Sequence, residues 1–156
     1  MAAEPEALTV FVVHGPNLNL LGTREPEVYG RRTLAEIDAA LRALGGELGV
    51  VVRTFQASGE GELIDHIHAV AGEAAGFVVN AGAYTHTSLA LADALAATGR
   101  PYVEVHLSNT ASREAYRRRS FLARRAVGVV TGFGAGSYLL GLRGLVDHLR
   151  TNGPGR

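Results

Sequence analysis

Apolar residues along the chain fall into two rhythms. Short apolar runs at about 8–14, 50–56, 76–80, 101–107 and 127–131 are bounded by Gly, Pro, Ser or Asn, which is how buried strands read. Between them the spacing lengthens to that of helices. Leu34, Ile37, Leu41, Leu44 and Leu48 form a stripe over 33–48, opened by a capping box of Thr33 and Glu36. Gly45, Gly46 and Gly49 mark its fraying end. Leu63, Ile64, Ile67 and Ala71 line a second helix, and a third is expected at about 87–98. Ser108, Asn109, Thr110 and Ser112 offer capping oxygens for a fourth running to about Arg119, and the last covers about 136–149. Strands alternating with helices in this way predict a parallel sheet covered on both faces. Right-handed crossovers favour a flavodoxin-like three-layer α/β sandwich, a five-stranded parallel sheet of order 2-1-3-4-5, with 1–156 forming a single domain. The ends, about 1–7 and 151–156, read as disordered tails.

One connection breaks the rhythm. The stretch 15–30 (GPNLNLLGTREPEVYG) joins the first strand to the first helix, where about two to six residues usually suffice. It carries polar and charged side chains around an apolar Leu-Asn-Leu-Leu centre and reads as a lid packed over an active site. In a sheet of this order, ligands bind beyond the carboxyl ends of strands 1 and 3. The polar residues at the strand ends are Asn17 after strand 1, Asn80 and His86 after strand 3, and His106 and Ser108 after strand 4. They converge on that place.

Composition removes several chemistries. Fifteen acidic residues balance fifteen basic ones, so no overall field attracts nucleic acid or an anionic membrane. No cysteine is present, which excludes disulfides, thiolate nucleophiles and cysteine metal sites. All fifteen basic residues are Arg; without Lys, imine catalysis through a lysine is excluded. The acidic start lacks the pattern of a signal peptide, and no apolar run approaches the ~20 residues of a membrane span. The expected compartment is the cytoplasm.

Several side chains suit chemistry. Glu104 lies two residues before His106 and hence on the same face of the strand. A carboxylate there orients the imidazole and favours its charged form, which suits a general acid; a purely structural Glu–His pair is the alternative. Tyr29 closes the loop, where Arg24, Arg113 and Arg117 would stabilise a phenolate base; a loop anchor is the alternative. Asn17 and Asn80 donate and accept. Ser108 and the amides around it suit an anion if they open a helix. Asp65-His66-Ile67-His68 imitates a metal cluster, but histidines two apart on a helix face different ways. Arg117-Arg118-Arg119 is basic without a surrounding basic, aromatic face. Gly132-Phe133-Gly134-Ala135-Gly136 follows strand 5 and lacks a phosphate loop's Lys, so it reads as a turn.

These residues resemble the type II 3-dehydroquinate dehydratases. The resemblance rests on the segment 15–22 (GPNLNLLG), Arg24-Glu25-Pro26 and Tyr29-Gly30. It continues through 60–65 (EGELID), 80–88 (NAGAYTHTS) and 104–109 (EVHLSN), four motifs in order over nearly the whole chain. It implies dehydration of 3-dehydroquinate to 3-dehydroshikimate in the shikimate pathway, through an enolate and with neither metal nor organic cofactor. By the same resemblance Tyr29 is the base, Arg24 and Arg117 favour its phenolate, and Asn17 holds a water that stabilises the enolate. His106, supported by Glu104, protonates the leaving hydroxyl. Asn80, His86, Arg117, Leu107 and Ser108 grip the substrate, with Arg113 a lesser candidate. The family's assembly implies a homo-dodecamer, a tetramer of trimers, in which Asp93 enters a neighbouring site.

Three stretches depart from the family pattern. His14 stands where Asn is more usual, Ala57-Ser58-Gly59 replaces a Ser-Asn-His, and Arg118-Arg119-Ser120-Phe121 replaces a His-rich run ending in Tyr. The same dehydration in quinate catabolism is an alternative reading. A flavin-binding or other ligand-binding module of the same fold is another, although the chain has no Trp.

Overall fold

Strand β1 (Thr9–His14) sends Val10 and Val12 to one side and Phe11 and Val13 to the other, all of them buried. Alternate positions buried on both faces require cover on both faces. The computed structural model describes residues 6–23 and 25–155. Its helices are α1 (Pro26–Tyr29), α2 (Leu34–Leu48), α3 (Glu60–Val70), α4 (Leu89–Ala97) and α5 (Gly136–Asn152). With strands β2 (Val51–Gln56), β3 (Gly76–Asn80), β4 (Tyr102–His106) and β5 (Gly128–Thr131), β1 forms one parallel sheet of order β2-β1-β3-β4-β5, the order expected. Ile37, Leu41 and Leu44 of α2 and Leu142, Leu145 and Leu149 of α5 pack on Val10, Val12, Val78 and Val103. Leu63 and Ile67 of α3 and Leu91 and Leu95 of α4 pack on Phe11, Val13, Phe77 and Val79. The result is the three-layer flavodoxin-like sandwich. Among the described residues no helix is long and apolar enough to cross a membrane.

Local chemistry sets the element ends. The Thr33 hydroxyl accepts from the Glu36 amide at 3.2 Å and starts α2. Gly45 and Gly46 stay within that helix, which closes one turn later at Gly49. The first part of the connection between β1 and α2, 15–23, is built rather than loose: a 3₁₀ turn (Leu18–Leu20) buries Leu18, and Leu21 joins the core beside α2.

Two expectations need correcting. The segment after β4 is not one helix to Arg119 but two 3₁₀ turns, Thr110–Ser112 and Ala115–Arg117. The Asn109 carbonyl takes both the Ser112 amide and its hydroxyl, which closes the turn locally. Arg113 and Glu114 are then extended, with ψ of 177° and 150°. Residues 151 and 152 are not a loose tail but the end of α5, where the Thr151 hydroxyl donates to the Asp147 carbonyl and the Gly153 amide to that of Leu149. The first five residues lie outside the described ones.

Candidate active site

The connections leaving β1 and β3 are pressed together. The Gly15 amide donates to the Asn80 carbonyl at 2.7 Å. A Cβ on Gly15 would stand 2.3 Å from the Ala81 oxygen, so only glycine fits there. Asn17 follows at φ 69°, a left-handed conformation in a non-glycine residue; Asn tolerates it better than most, and such strain gathers at functional sites. Two strand ends are thereby held side by side at the point where chain direction across the sheet reverses.

Beyond those ends lies a cavity of about 150 Å³. Its walls include Asn17, Tyr29, Asn80 and His86, and from the β4 end His106, Leu107 and Ser108. Arg113 and Arg117 complete its cationic side. The residues expected from the sequence thus meet in one place, with three exceptions. Glu104 lies beneath the floor, fully buried behind His106. Asp93 sits on an exposed face of α4, away from this subunit's cavity. Arg24 lies outside the described residues.

Glu104 is the electrostatic centre of the floor. Its Oε2 receives His106 Nε2 at 2.5 Å and the Thr85 hydroxyl at 2.7 Å, while Ser120 Oγ lies 2.7 Å from Oε1. Burial alone would raise the carboxyl's pKa. The hydrogen bond and charge of His106, with the hydroxyls of Thr85 and Ser120, outweigh burial and hold it below the ordinary value. An ionised carboxylate only accepts, so Nε2 of His106 carries the proton and Nδ1 is the nitrogen left for a ligand. Nothing in the sequence marks Thr85 and Ser120 as partners of Glu104. Ser120 belongs to a stretch that departs from the family pattern, and its role shows only in three dimensions.

Tyr29 stands half-buried at the rim. Among the described residues the arginine at its hydroxyl is Arg113, at a loose 3.5 Å, with the guanidinium carbon 5.7 Å from the ring centre. That contact, opposed by partial burial and aided by Coulombic attraction, holds the Arg113 guanidinium more firmly charged than usual. Arg113 also donates to Ser108 Oγ at 3.2 Å. Ser108 is therefore not a helix cap; Asn109 caps the following turn instead. Arg117, expected beside Tyr29, has its Nε 3.3 Å from Glu114 Oε2. His86 lies 2.7 Å through Nδ1 from the Arg119 carbonyl, so Nδ1 carries a proton and Nε2 is the nitrogen left to face a ligand. Arg118 Nε in turn holds the Arg113 carbonyl at 2.7 Å. The basic triplet thus builds the site wall.

Other motifs have plain structural uses. His66 stacks on Phe55 with ring centres 3.8 Å apart, and burial lowers its pKa; Asp65 and His68 are exposed on other sides of α3. Among the described residues no three His, Cys, Asp or Glu side chains are grouped to hold a metal ion.

A flavodoxin-like sheet with imidazole, phenol, amide and guanidinium groups gathered at its switch point is an enzyme scaffold for a small polar substrate. A family model described as Dehydroquinase class II matches residues 8–146, and the chain belongs to that family. A 3-dehydroquinate dehydratase of Parasynechococcus marenigrum is 56% identical over 144 residues, covering 92% of this chain and 99% of that protein. One from Gemmatimonas aurantiaca is 58% identical over 142 residues, covering 91% and 93%. The crystal structure of a type II dehydroquinase from Propionibacterium acnes superposes with a TM-score of 0.85 at 36% identity, covering 91% of this chain and 99% of that one. One from Butyrivibrio crossotus gives 0.87 at 33% identity, covering 89% and 97%.

Proposed function

We propose that the enzyme is a hydro-lyase that dehydrates 3-dehydroquinate to 3-dehydroshikimate, a step of the shikimate pathway. The observation that carries this reading is one cavity lined by both Tyr29 and the Glu104-backed His106. In the proposed reaction the Tyr29 phenolate takes a proton from C2, next to the ketone, and the electron pair moves onto the ketone oxygen as an enolate. A water held by Asn17 stabilises that oxygen. Collapse of the enolate forms the C1–C2 double bond and expels the C1 hydroxyl, which leaves as water with a proton from His106 Nδ1. Arg113 lies closest to the Tyr29 phenol among the described residues, and with Arg24 and Arg117 it is proposed to favour the phenolate. Asn80, His86, Arg117, Leu107 and Ser108 bind the substrate's hydroxyls and carboxylate.

The test is to add 3-dehydroquinate to purified, chelator-treated protein and follow the ultraviolet rise of the conjugated product. A rapid rise is expected; a flat trace from folded protein would refute the reading. Borohydride added with substrate is expected to trap nothing, since the chain has no Lys, and a covalent adduct would overturn the enolate route.

The working assembly is proposed to be a homo-dodecamer, a tetramer of trimers, in the cytoplasm, with Asp93 entering a neighbour's site. Support comes from Asp93 being exposed on α4 and from the apolar side chains left open near β5, Val129 at 45% and Phe133 at 67% exposure. Mixing inactive Asp93→Ala and Tyr29→Phe enzymes is expected to restore activity through hybrid trimers. No recovery despite verified subunit exchange would remove the shared site.

A further inference from the structure

Two hydroxyls reach the buried Glu104 carboxylate from stretches far apart in sequence. Thr85 lies in the 3₁₀ turn after β3 (Gly82–His86), and Ser120 follows the short turns that carry Arg113 and Arg117. Backbone contacts stitch the two stretches together. The Phe121 amide donates to the Thr85 carbonyl at 2.9 Å, and the Arg119 carbonyl holds His86 Nδ1 at 2.7 Å. Neither Thr85 nor Ser120 is among the described residues that line the substrate cavity. Thr85 is fully buried and Ser120 half-buried.

The proton of each hydroxyl has one place to go. Ser120 Oγ accepts from the amides of Leu122 and Ala123, at 3.1 Å each, and these two donors occupy both its lone pairs. Its single proton is therefore spent on the carboxylate, whose oxygens lie 2.7 and 2.8 Å away. Thr85 Oγ1 stands 3.2 Å from Ser120 Oγ, where no lone pair is left to receive its proton. That proton goes to Glu104 Oε2 at 2.7 Å. Oε2 also receives His106 Nε2, while among the described residues the donor on Oε1 is Ser120. A buried carboxylate oxygen deprived of its donor is costly. The carboxylate then turns toward the donors that remain, which misaligns the imidazole, or draws the proton across from Nε2. The second course leaves a carboxylic acid beside a neutral imidazole, a weaker acid than imidazolium.

We propose that Ser120 and Thr85 are positioning residues for the reaction, their hydroxyls fixing the Glu104 carboxylate against His106 Nε2 so that Nδ1 is aimed at the leaving hydroxyl. The inference rests on His106 being the general acid. It also gives the stretch after Arg117 a purpose. Through Ser120, the segment that bears Arg113 and Arg117 is tied to the carboxylate beneath His106, so the cationic wall and the proton donor share one anchor.

The experiment is a double-mutant cycle on the intact enzyme, with kcat and KM for 3-dehydroquinate measured for Ser120→Ala, His106→Ala and the pair. Losing one donor to the carboxylate is expected to lower kcat roughly 3- to 30-fold in Ser120→Ala, with KM changed less than about twofold. In the His106→Ala background the same substitution should change kcat by less than about twofold, because the imidazole it serves is gone. Equal effects in both backgrounds would mean that Ser120 acts only through the turn it closes with Leu122 and Ala123, and would overturn the proposal. An unchanged kcat, or a loss confined to KM, would overturn it as well. If His106→Ala alone leaves kcat untouched, the general-acid reading of His106 fails, which is a separate result from loss of coupling. Thr85 provides a second pair of variants should Ser120→Ala not fold. Thr85→Ser keeps the donor and should retain most of kcat, whereas Thr85→Val keeps the shape without the donor and should lower it. Equal kcat values in the two would overturn the role of the hydroxyls.

Discussion

Glu104→Gln separates the charge of the buried carboxylate from its shape. Glu104 receives three donors, His106 Nε2 at 2.5 Å, Thr85 Oγ1 at 2.7 Å and Ser120 Oγ at 2.7 Å. Glutamine keeps the volume but exchanges one accepting oxygen for an NH₂ group, so one donor meets another donor. The catalytic loss follows from His106. A hydrogen bond to a charged partner contributes about 1.5–3 kcal/mol, and if it supports the imidazolium that gives up its proton, kcat should fall roughly 10- to 150-fold. The stability loss has a different origin. Glutamine removes the cost of holding a charge out of water, leaving about 1–3 kcal/mol for one unsatisfied buried donor. That is less than the ~3–5 kcal/mol expected when a buried charge loses its partner. The assay is kcat from the ultraviolet rise at neutral pH, set beside urea unfolding of the same preparation. Turnover within about twofold of the parent in a folded variant would refute the argument, since the barrier would then not depend on the charge.

Acid unfolding tests the same group from the side of stability. Because the Glu104 carboxyl is held below its ordinary value of 4.5, its contribution is fully present above that pH. It is lost as pH falls through the lower folded-state value. The urea midpoint of the parent should therefore drop below about pH 4.5 more steeply than that of Glu104→Gln, and parallel curves would contradict it. Tyr29→Phe and His106→Ala should each cut turnover by a factor of about 100 or more while circular dichroism is unchanged; near-normal rates in either would remove that residue's role. Gly15→Ala should cost roughly 1–3 kcal/mol in stability and lower kcat/KM by parting the two connections. Its Cβ would stand 2.3 Å from a backbone oxygen, and an unaffected protein would mean that this contact is not what aligns them.

Periodicity carried the fold because both faces of the sheet are covered. Apolar runs such as 10–13 and 76–79 are continuous, helices such as α2 show a one-sided stripe, and the strand order follows from handedness. The segment 108–119 escaped because its Ser, Thr and Asn residues look like caps for a helix. In the structure those side chains close short turns on their own backbone instead. Motif and topology together were enough to name the cavity's lining, since most of it sits at strand ends. The groups that support that lining were not legible. Thr85 and Ser120 lie 19 and 16 residues from Glu104 in sequence, and nothing in their neighbours marks them as its donors.

The backbone path after β4 also gives the arginines a different order of importance from the one their spacing in sequence suggests. A helix after β4 would have carried Arg113 and Arg117 one turn apart on one face, equally available to Tyr29. Extended backbone at Arg113 breaks that equivalence. It sends Arg113 toward Tyr29 and Ser108, while Arg117 sits in the next 3₁₀ turn beside Glu114. Arg118 then anchors Arg113 through its carbonyl, and the Arg119 carbonyl fixes the tautomer of His86. The departure from regular helix is thus what assigns separate tasks to neighbouring, chemically identical side chains, and it is a property of the backbone path rather than of any residue type in the stretch.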